Sequence, residues 1–352
     1  QHRSRTGSRP RPPVNDCAYV TAGWGIHDER WLGALRQLGK DPMVVSLGRD
    51  AGDPAELRRR LTEAASECAG LLPVLAGPLD SVTHGLLDLP LRLIGLSWGY
   101  DLDQMHARSE DLSWLRRLDG LVVDSHANAA LAREAGVPEG RLTFLPWGVD
   151  LRVFAFHGPW IDAFLLGVPP HAPLVLSLRA HEPLYRVEDT VRAFARVARH
   201  PEAHEDFPDP YLLIGNAGSG TAALRELTRD LGIAARVRFL GLVREADLVP
   251  LLGRAACYVT AAEVDGTSVT LLQAMACGTP VVASATPGNL GWIEDGVTGF
   301  TFPTGDVDAL ARRLQQVLDH YPTDVVLRAR AVVERDADWQ ANLPRLAAAL
   351  GG

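Results

Sequence analysis

Twelve short apolar runs, arranged as two sets of six, constrain this chain more than any other feature. The first set reads CAYVTA (17–22), PMVVSLG (42–48), GLLPVL (70–75), RLIGLS (92–97), GLVVDS (120–125) and RLTFLP (141–146). The second reads LVLSL (174–178), YLLIG (211–215), RVRFLG (236–241), ACYVTA (256–261), PVVAS (280–284) and GFTFP (299–303). Runs this short and apolar fit strands buried on both faces, the condition of a parallel sheet covered by helices. The stretches between them carry helical spacing. In ERWLGALRQLG, for instance, Trp31, Leu32, Leu35 and Leu38 share one face. Such alternation builds βαβ units, so the chain is expected to be α/β, with two doubly wound domains of similar size.

A length of 352 residues leaves room for two domains. A disordered basic tail is expected over 1–14, where Arg3, Arg5, Arg9 and Arg11 stand among Ser, Gly and Pro. The N-terminal domain is expected over 15–155 and the second over 173–335. The less regular stretch 151–173 supplies a linker, set at 156–172, and a C-terminal helix over 336–352 is expected to pack back on the N-terminal domain.

Composition removes several classes of function. No apolar run approaches the roughly 18 residues of a membrane span, and the basic start lacks the apolar stretch of a secretory signal. A net charge of −8 argues against nucleic acid as a partner. Cys17, Cys68, Cys257 and Cys277 are scattered without a CxxC or a His pair. Neither a disulfide framework nor a metal site is expected, and a reducing cytoplasm is the expected home. Lys40 is the only lysine; the other 34 basic residues are arginines. A P-loop lysine is therefore absent, and any bound anion must be held by arginine, backbone amides or helix ends.

Ligands of doubly wound sheets bind beyond the carboxyl ends of the strands, which directs attention to the strand-to-helix loops. The most informative is DGTSVTLLQAMACGTPVVA (265–283), where a polar loop of Asp265, Gly266, Thr267 and Ser268 runs into a helix. Thr267 and Ser268 are capping residues, and the amides of a helix start attract anions. Gln273 follows Asp265 by eight residues, two turns into the helix. On these residues alone the segment is either a phosphate site or an ordinary helix cap. A second glycine-rich loop, GNAGSG (215–220), is a weak dinucleotide fingerprint. Its glycines run GxxGxG rather than GxGxxG, and RVRFLG brings no acid for a ribose.

The 265–303 segment resembles the signature of the retaining GT-B glycosyltransferases of family 4. In that family an acidic loop residue, seven intervening residues and a Glu precede an AMACGTPVV-like run. Asp265 holds the first acidic position, and Gln273 stands where the family has its Glu. TPGNLGWIEDGVTGFTFPTGDVDAL, FLGLVREADLVPLLGRA (239–255) and FLPWGVDLRVF (144–154) match as well, so the resemblance covers about residues 17–345. It implies two Rossmann-like domains facing across a cleft, the first binding the acceptor and the second the nucleotide-sugar donor.

Carried over by position, the resemblance assigns Asp265 to the donor sugar hydroxyls and the amides around Val269, Thr270 and Leu271 to the diphosphate. Gln273 falls to the ribose, where an amide replaces a charge-assisted acceptor. In LRAHEPLYRVED, Arg179 matches the family's diphosphate arginine and Arg186 stands in for its lysine, out of register. Gly215 and Val243 fall beside the nucleotide, and Gly23 and Gly25 of TAGWGIHDERW fall near the donor phosphate and acceptor. His27 and Asp28 are either helix caps or site residues. Trp98 and Asp101 of SWGYD either line the cleft or serve the turn. Asp265, Arg179, Asp101 and His27 are the expected catalytic residues, and the other histidines are expected to be surface or packing residues.

The resemblance further implies same-face substitution without a metal or other cofactor, the leaving phosphate helping to deprotonate the acceptor hydroxyl. A UDP-sugar is favoured over a GDP-sugar as donor. Arginine in place of lysine suggests a high-GC bacterial genome, and with it a small-molecule or glycan acceptor of specialised metabolism. No basic amphipathic helix stands out, which leaves a lipid acceptor, with peripheral membrane contact, as the second choice. A non-catalytic sugar-nucleotide binder and a GT-B sugar-nucleotide epimerase are the alternative functions.

Overall fold

A computed structural model describes residues 16–46, 54–67, 72–98, 101–146, 148–156, 158–198 and 209–351. The expected tail over 1–14, Cys68, and Gly99 and Tyr100 of SWGYD lie outside the described residues. Each of the twelve apolar runs overlaps a strand. Six form one sheet: β1 (Cys17–Thr21), β2 (Pro42–Ser46), β3 (Pro73–Ala76), β4 (Arg92–Ser97), β5 (Gly120–Val123) and β6 (Leu142–Phe144), in the order β2-β1-β3-β4-β5-β6. The other six are β7 (Leu174–Ser177), β8 (Tyr211–Gly215), β9 (Val237–Gly241), β10 (Cys257–Thr260), β11 (Val281–Ser284) and β12 (Phe300–Phe302), in the order β12-β11-β10-β7-β8-β9. Every pairing is parallel; Leu176 lies opposite Leu213 of β8 and Tyr258 of β10.

The near-continuous apolar character of the strands follows from this arrangement. Along β7, Leu174 and Leu176 face a core built with Leu271, Leu272 and Met275 of the helix Val269–Cys277. Val175 faces the opposite side, packed with Phe194 of the helix Val187–Val197 and with Leu310 and Leu314. Successive residues serve opposite faces, so both must be apolar.

The chain divides into two compact units. The first holds residues up to Val123, Asn128–Phe144 and the segment from Leu343 on; the second holds Asp124–Ala127 and Leu145–Asn342. The expected linker is therefore corrected. Ala163, Leu166, Val168 and Ala172 from that stretch, with Phe154 before it, are buried in the second unit's core beside Leu252 and Ala255. Apolar side chains without helical or strand spacing are still driven into a core, and the sequence pattern offers no periodicity by which to read it. The helix Trp339–Ala349 continues past the division, and its end clusters with the first unit, where Arg92 donates to the carbonyls of Ala349 (3.1 Å) and Leu350. Among the described residues no helix is long and apolar enough to cross a membrane.

Candidate functional site

In the second sheet the strand order reverses between β7 and β10, so the loops leaving these neighbours diverge to opposite faces and open a crevice at their carboxyl ends. Arg179 lies just after β7 and Asp265 five residues after β10. Their side chains meet: Arg179 Nη2 lies 2.9 Å from Asp265 Oδ2, and each side chain is only 12% exposed. Arg179 Nη1 donates to Ser268 Oγ at 2.9 Å, and the guanidinium stacks 4.2 Å from the centre of the Tyr185 ring. Tyr258, wholly buried on β10, brings its hydroxyl to the same group. Burial works against the charge on Arg179, but the Asp265 carboxylate outweighs it and raises its pKa. Burial also pushes the Asp265 carboxyl above its ordinary range, against the pull of Arg179. Asp265 Oδ2 is itself buried, and Arg179 is the charged group it faces.

Backbone amides separate the two glycine-rich loops. At the start of the helix Val269–Cys277, Ser268 makes no capping bond, and among the described residues no acceptor takes the amides of Val269, Thr270 or Leu271. Three donors at the positive end of a helix dipole are left without protein acceptors on the loop that Arg179 contacts. The loop after β8 is the opposite case. Asn216 N donates to Gly241 O, Ala217 N to Asn216 Oδ1, Gly218 N to Thr221 Oγ1 and Ser219 N to Glu182 Oε1. Gly220 N donates to His181 O and Thr221 N to Gly218 O. Every amide from Asn216 to Thr221 is occupied, so this loop cannot cradle a phosphate as a dinucleotide fingerprint does. Gly215 is glycine for packing: a Cβ there would lie 2.5 Å from Leu178 Cδ2 and 2.9 Å from Val243 Cγ2.

Gln273 is buried in a helix covered on nearly every side, and its amide makes no hydrogen bond to the described residues. Its amide atoms keep some contact with solvent, so they are open to water or a ligand. Gly266 and Asp265 are braced from behind by the short helix Pro287–Leu290, where a Cβ on Gly288 would overlap both their carbonyl oxygens. Thr286 caps that helix at Asn289 N, and Asn289 Nδ2 donates to Ser284 O at 2.9 Å. Thr267 is buried. Arg186 is not joined to this group. Its Nε binds Asp189 Oδ2 at 2.7 Å, an i,i+3 pair at the start of the helix Val187–Val197, and its guanidinium lies beside Gly305.

In the first unit the strand order reverses between β1 and β3, and the loop after β1 holds Gly23, Gly25 and His27. Asp28 is the cap: its Oδ2 accepts from Gly25 N at 2.6 Å and its Oδ1 from Tyr19 Oη at 2.9 Å. A Cβ on Gly23 would meet nothing within 4 Å, so packing does not demand glycine there. His27 stacks on Trp98, ring centres 5.9 Å apart, and burial lowers its pKa to about 4, with Arg30 adding to the effect. Asp101, one of the expected catalytic residues, serves the turn that was its other reading. It is half-buried and accepts from Ser97 Oγ (2.6 Å), Leu79 N (3.0 Å), Leu102 N (2.7 Å) and Trp98 N (3.3 Å), which knots the ends of β3 and β4 to the following helix. Among the described residues no group of three His, Cys, Asp or Glu side chains is gathered for a metal.

Sequence reasoning missed Tyr185, Tyr258, His181, Glu182 and Gly288. The segments that contain them were already singled out, but only the pairing of separate loops shows what these side chains touch.

Residues 162–332 match the family model of the glycosyl transferases group 1. Over 212 residues, 59% of this chain and 56% of the relative, the chain is 27% identical to a lipopolysaccharide core biosynthesis glycosyltransferase, LpsE, of Rhizobium meliloti (strain 1021). Over 227 residues, 63% of this chain and 49% of the relative, it is 30% identical to a D-inositol 3-phosphate glycosyltransferase of Mycobacterium sp. (strain JLS). The chain thus spans about half the length of these curated relatives. Among solved structures, Anabaena Alr3699/HepE in complex with UDP superposes with a TM-score of 0.74 at 17% identity, covering 95% of this chain and 99% of that one. That likeness gives the fold, GT-B. Through residues 162–332, just under half of its length, the chain matches the glycosyl transferases group 1.

Proposed function

We propose that the chain transfers a sugar, with retention, from a nucleoside-diphosphate sugar to an acceptor hydroxyl. The observation that carries this reading is the contrast between the two loops: the amides after β8 are all occupied, while those of Val269, Thr270 and Leu271 are free beside Arg179. A diphosphate supplies the acceptors those groups lack, and the arrangement neutralises the departing charge with no metal. Asp265 then takes the sugar hydroxyls, and Gln273 the ribose. UDP is the favoured nucleotide, which agrees with the UDP held by the Anabaena neighbour. The first unit, with the open space at Gly23 and the His27–Trp98 stack, is the proposed acceptor side. Relatives named for a lipopolysaccharide core and for inositol 3-phosphate support a polyhydroxylated acceptor, and both are bacterial.

The test is product analysis with labelled UDP- and GDP-sugars against inositol phosphates and oligosaccharides. A new glycoside whose anomeric configuration matches the donor is expected. Interconversion of the donor sugar without an acceptor would identify an epimerase. UDP binding with neither transfer nor donor breakdown would identify a binding protein, the outcome that the Gln273 substitution makes worth measuring.

A further inference from the structure

Arg179 reaches Asp265 and Ser268 from a loop with no regular structure, so something else must hold the loop. His181 and Glu182, two and three residues on, fasten it to the neighbouring loop after β8. His181 N donates to Ala217 O (3.1 Å), and its carbonyl accepts from Gly220 N (2.8 Å). The ring, from a residue 2% exposed, bridges Gly215 O at Nε2 (3.2 Å) and Thr221 Oγ1 at Nδ1 (2.8 Å). A carbonyl only accepts, so Nε2 carries the proton and Nδ1 is the acceptor of the neutral ring. Burial lowers the ring's pKa and favours that neutral form. The Glu182 carboxylate takes both donors of Ser219, N–H at 2.8 Å and Oγ–H at 2.5 Å. The fit admits only glycine opposite: a Cβ on Gly218 would lie 2.5 Å from Glu182 Oε1 and 2.7 Å from His181 O.

We propose that His181 and Glu182 are positioning residues of the donor site. They strap the loop after β7 onto the loop after β8, which aims Arg179. They also fill two amides of the second loop, Ser219 N and Gly220 N, which completes the closing of that loop and leaves Val269–Leu271 as the seat for a diphosphate. This rests on the donor reading above, and a small misplacement of a charged group is enough to weaken binding strongly.

The experiment is a calorimetric titration of the full chain with UDP, with a thermal melt of each variant to confirm folding. Wild type binds UDP and Arg179→Ala binds it more weakly. If wild type binds neither UDP nor GDP, the donor reading fails and this proposal with it. Given binding, Glu182→Ala weakens UDP about fivefold to tenfold, and Glu182→Gln recovers most of that, because its carbonyl still accepts from Ser219 N–H. On an Arg179→Ala background, Glu182→Ala changes affinity by less than about twofold, since no guanidinium remains to be aimed. His181→Phe, which keeps the ring and loses both bonds, follows the same pattern. Three results overturn the proposal while sparing the donor reading: full affinity in Glu182→Ala, an equal loss on both backgrounds, or tighter UDP in Glu182→Ala and Glu182→Gln alike. The last would make Glu182 a repelling charge instead of a strap.

Discussion

At the residue scale, Gln273 is a largely buried side chain whose amide makes no protein hydrogen bond, in a helix otherwise packed with Leu, Ala and Met. If the ribose completes it, Gln273→Glu exchanges a neutral acceptor for a charged one. UDP affinity should rise by about 0.5–1.5 kcal/mol, with phosphate repulsion taking part of the gain. Calorimetry with UDP and with its 2′,3′-dideoxy analogue checks this, since the analogue should show no gain. Weaker UDP binding by the Glu variant would mean that the amide donates to the ligand. Asp101 yields a pH prediction. Burial raises its pKa from 3.8 to about 6, against the hydrogen bonds of Ser97 and the backbone amides of Leu79, Leu102 and Trp98. The folded state therefore holds the proton more tightly than the unfolded chain. The stability this adds is full below about pH 4 and is lost as pH rises through about 6, a change of about 3 kcal/mol. Denaturant unfolding should find the advantage of wild type over Asp101→Asn shrinking by about that much between about pH 4 and pH 7. A difference that stays constant or grows with pH would contradict the account.

At the scale of elements, the helix Val269–Cys277 is ended by Gly278, in the left-handed region at φ 79° and packed against Phe156, where a Cβ has no room. Its polar loop is held from the other side by Gly288. Gly288→Ala should push Asp265 and Gly266 out of place, lowering sugar transfer at least tenfold although residue 288 is not assigned to the ligand. Transfer kinetics beside a melting curve check this; unchanged transfer in a folded variant would remove the brace from the account. The strands and this helix were legible because apolar runs and an Asp-Gly-Thr-Ser start are local signals. The local pair Arg186–Asp189 was legible too, at i,i+3, yet Arg186 resembled a phosphate ligand more than a helix-start ion pair. The closing of every amide in GNAGSG was not legible, because two of the groups that complete it, His181 O and Glu182 Oε1, come from another loop. A glycine pattern read alone does not say whether its N–H groups are free.

For the whole molecule, two parallel sheets are what twelve two-sided apolar runs require, and the strand order of the second sets Arg179 and Asp265 together at its reversal. Irregular apolar segments such as 156–172 carry no periodic signal, so their burial in the second unit emerges only in the fold. Because the proposed diphosphate ligands are arginine and backbone amides, transfer is expected to survive EDTA; an absolute need for added magnesium or manganese would point to another arrangement. The central claim is that a nucleoside diphosphate binds where Arg179 meets the free start of the helix Val269–Cys277. Calorimetry of UDP with wild type, Arg179→Ala and Asp265→Asn tests it most directly. The account predicts a loss of about 1.5–3 kcal/mol for Arg179→Ala, the range for a hydrogen bond to a charged group, and nearly full UDP affinity with lost transfer for Asp265→Asn. Unchanged UDP affinity in a folded Arg179→Ala protein would contradict it.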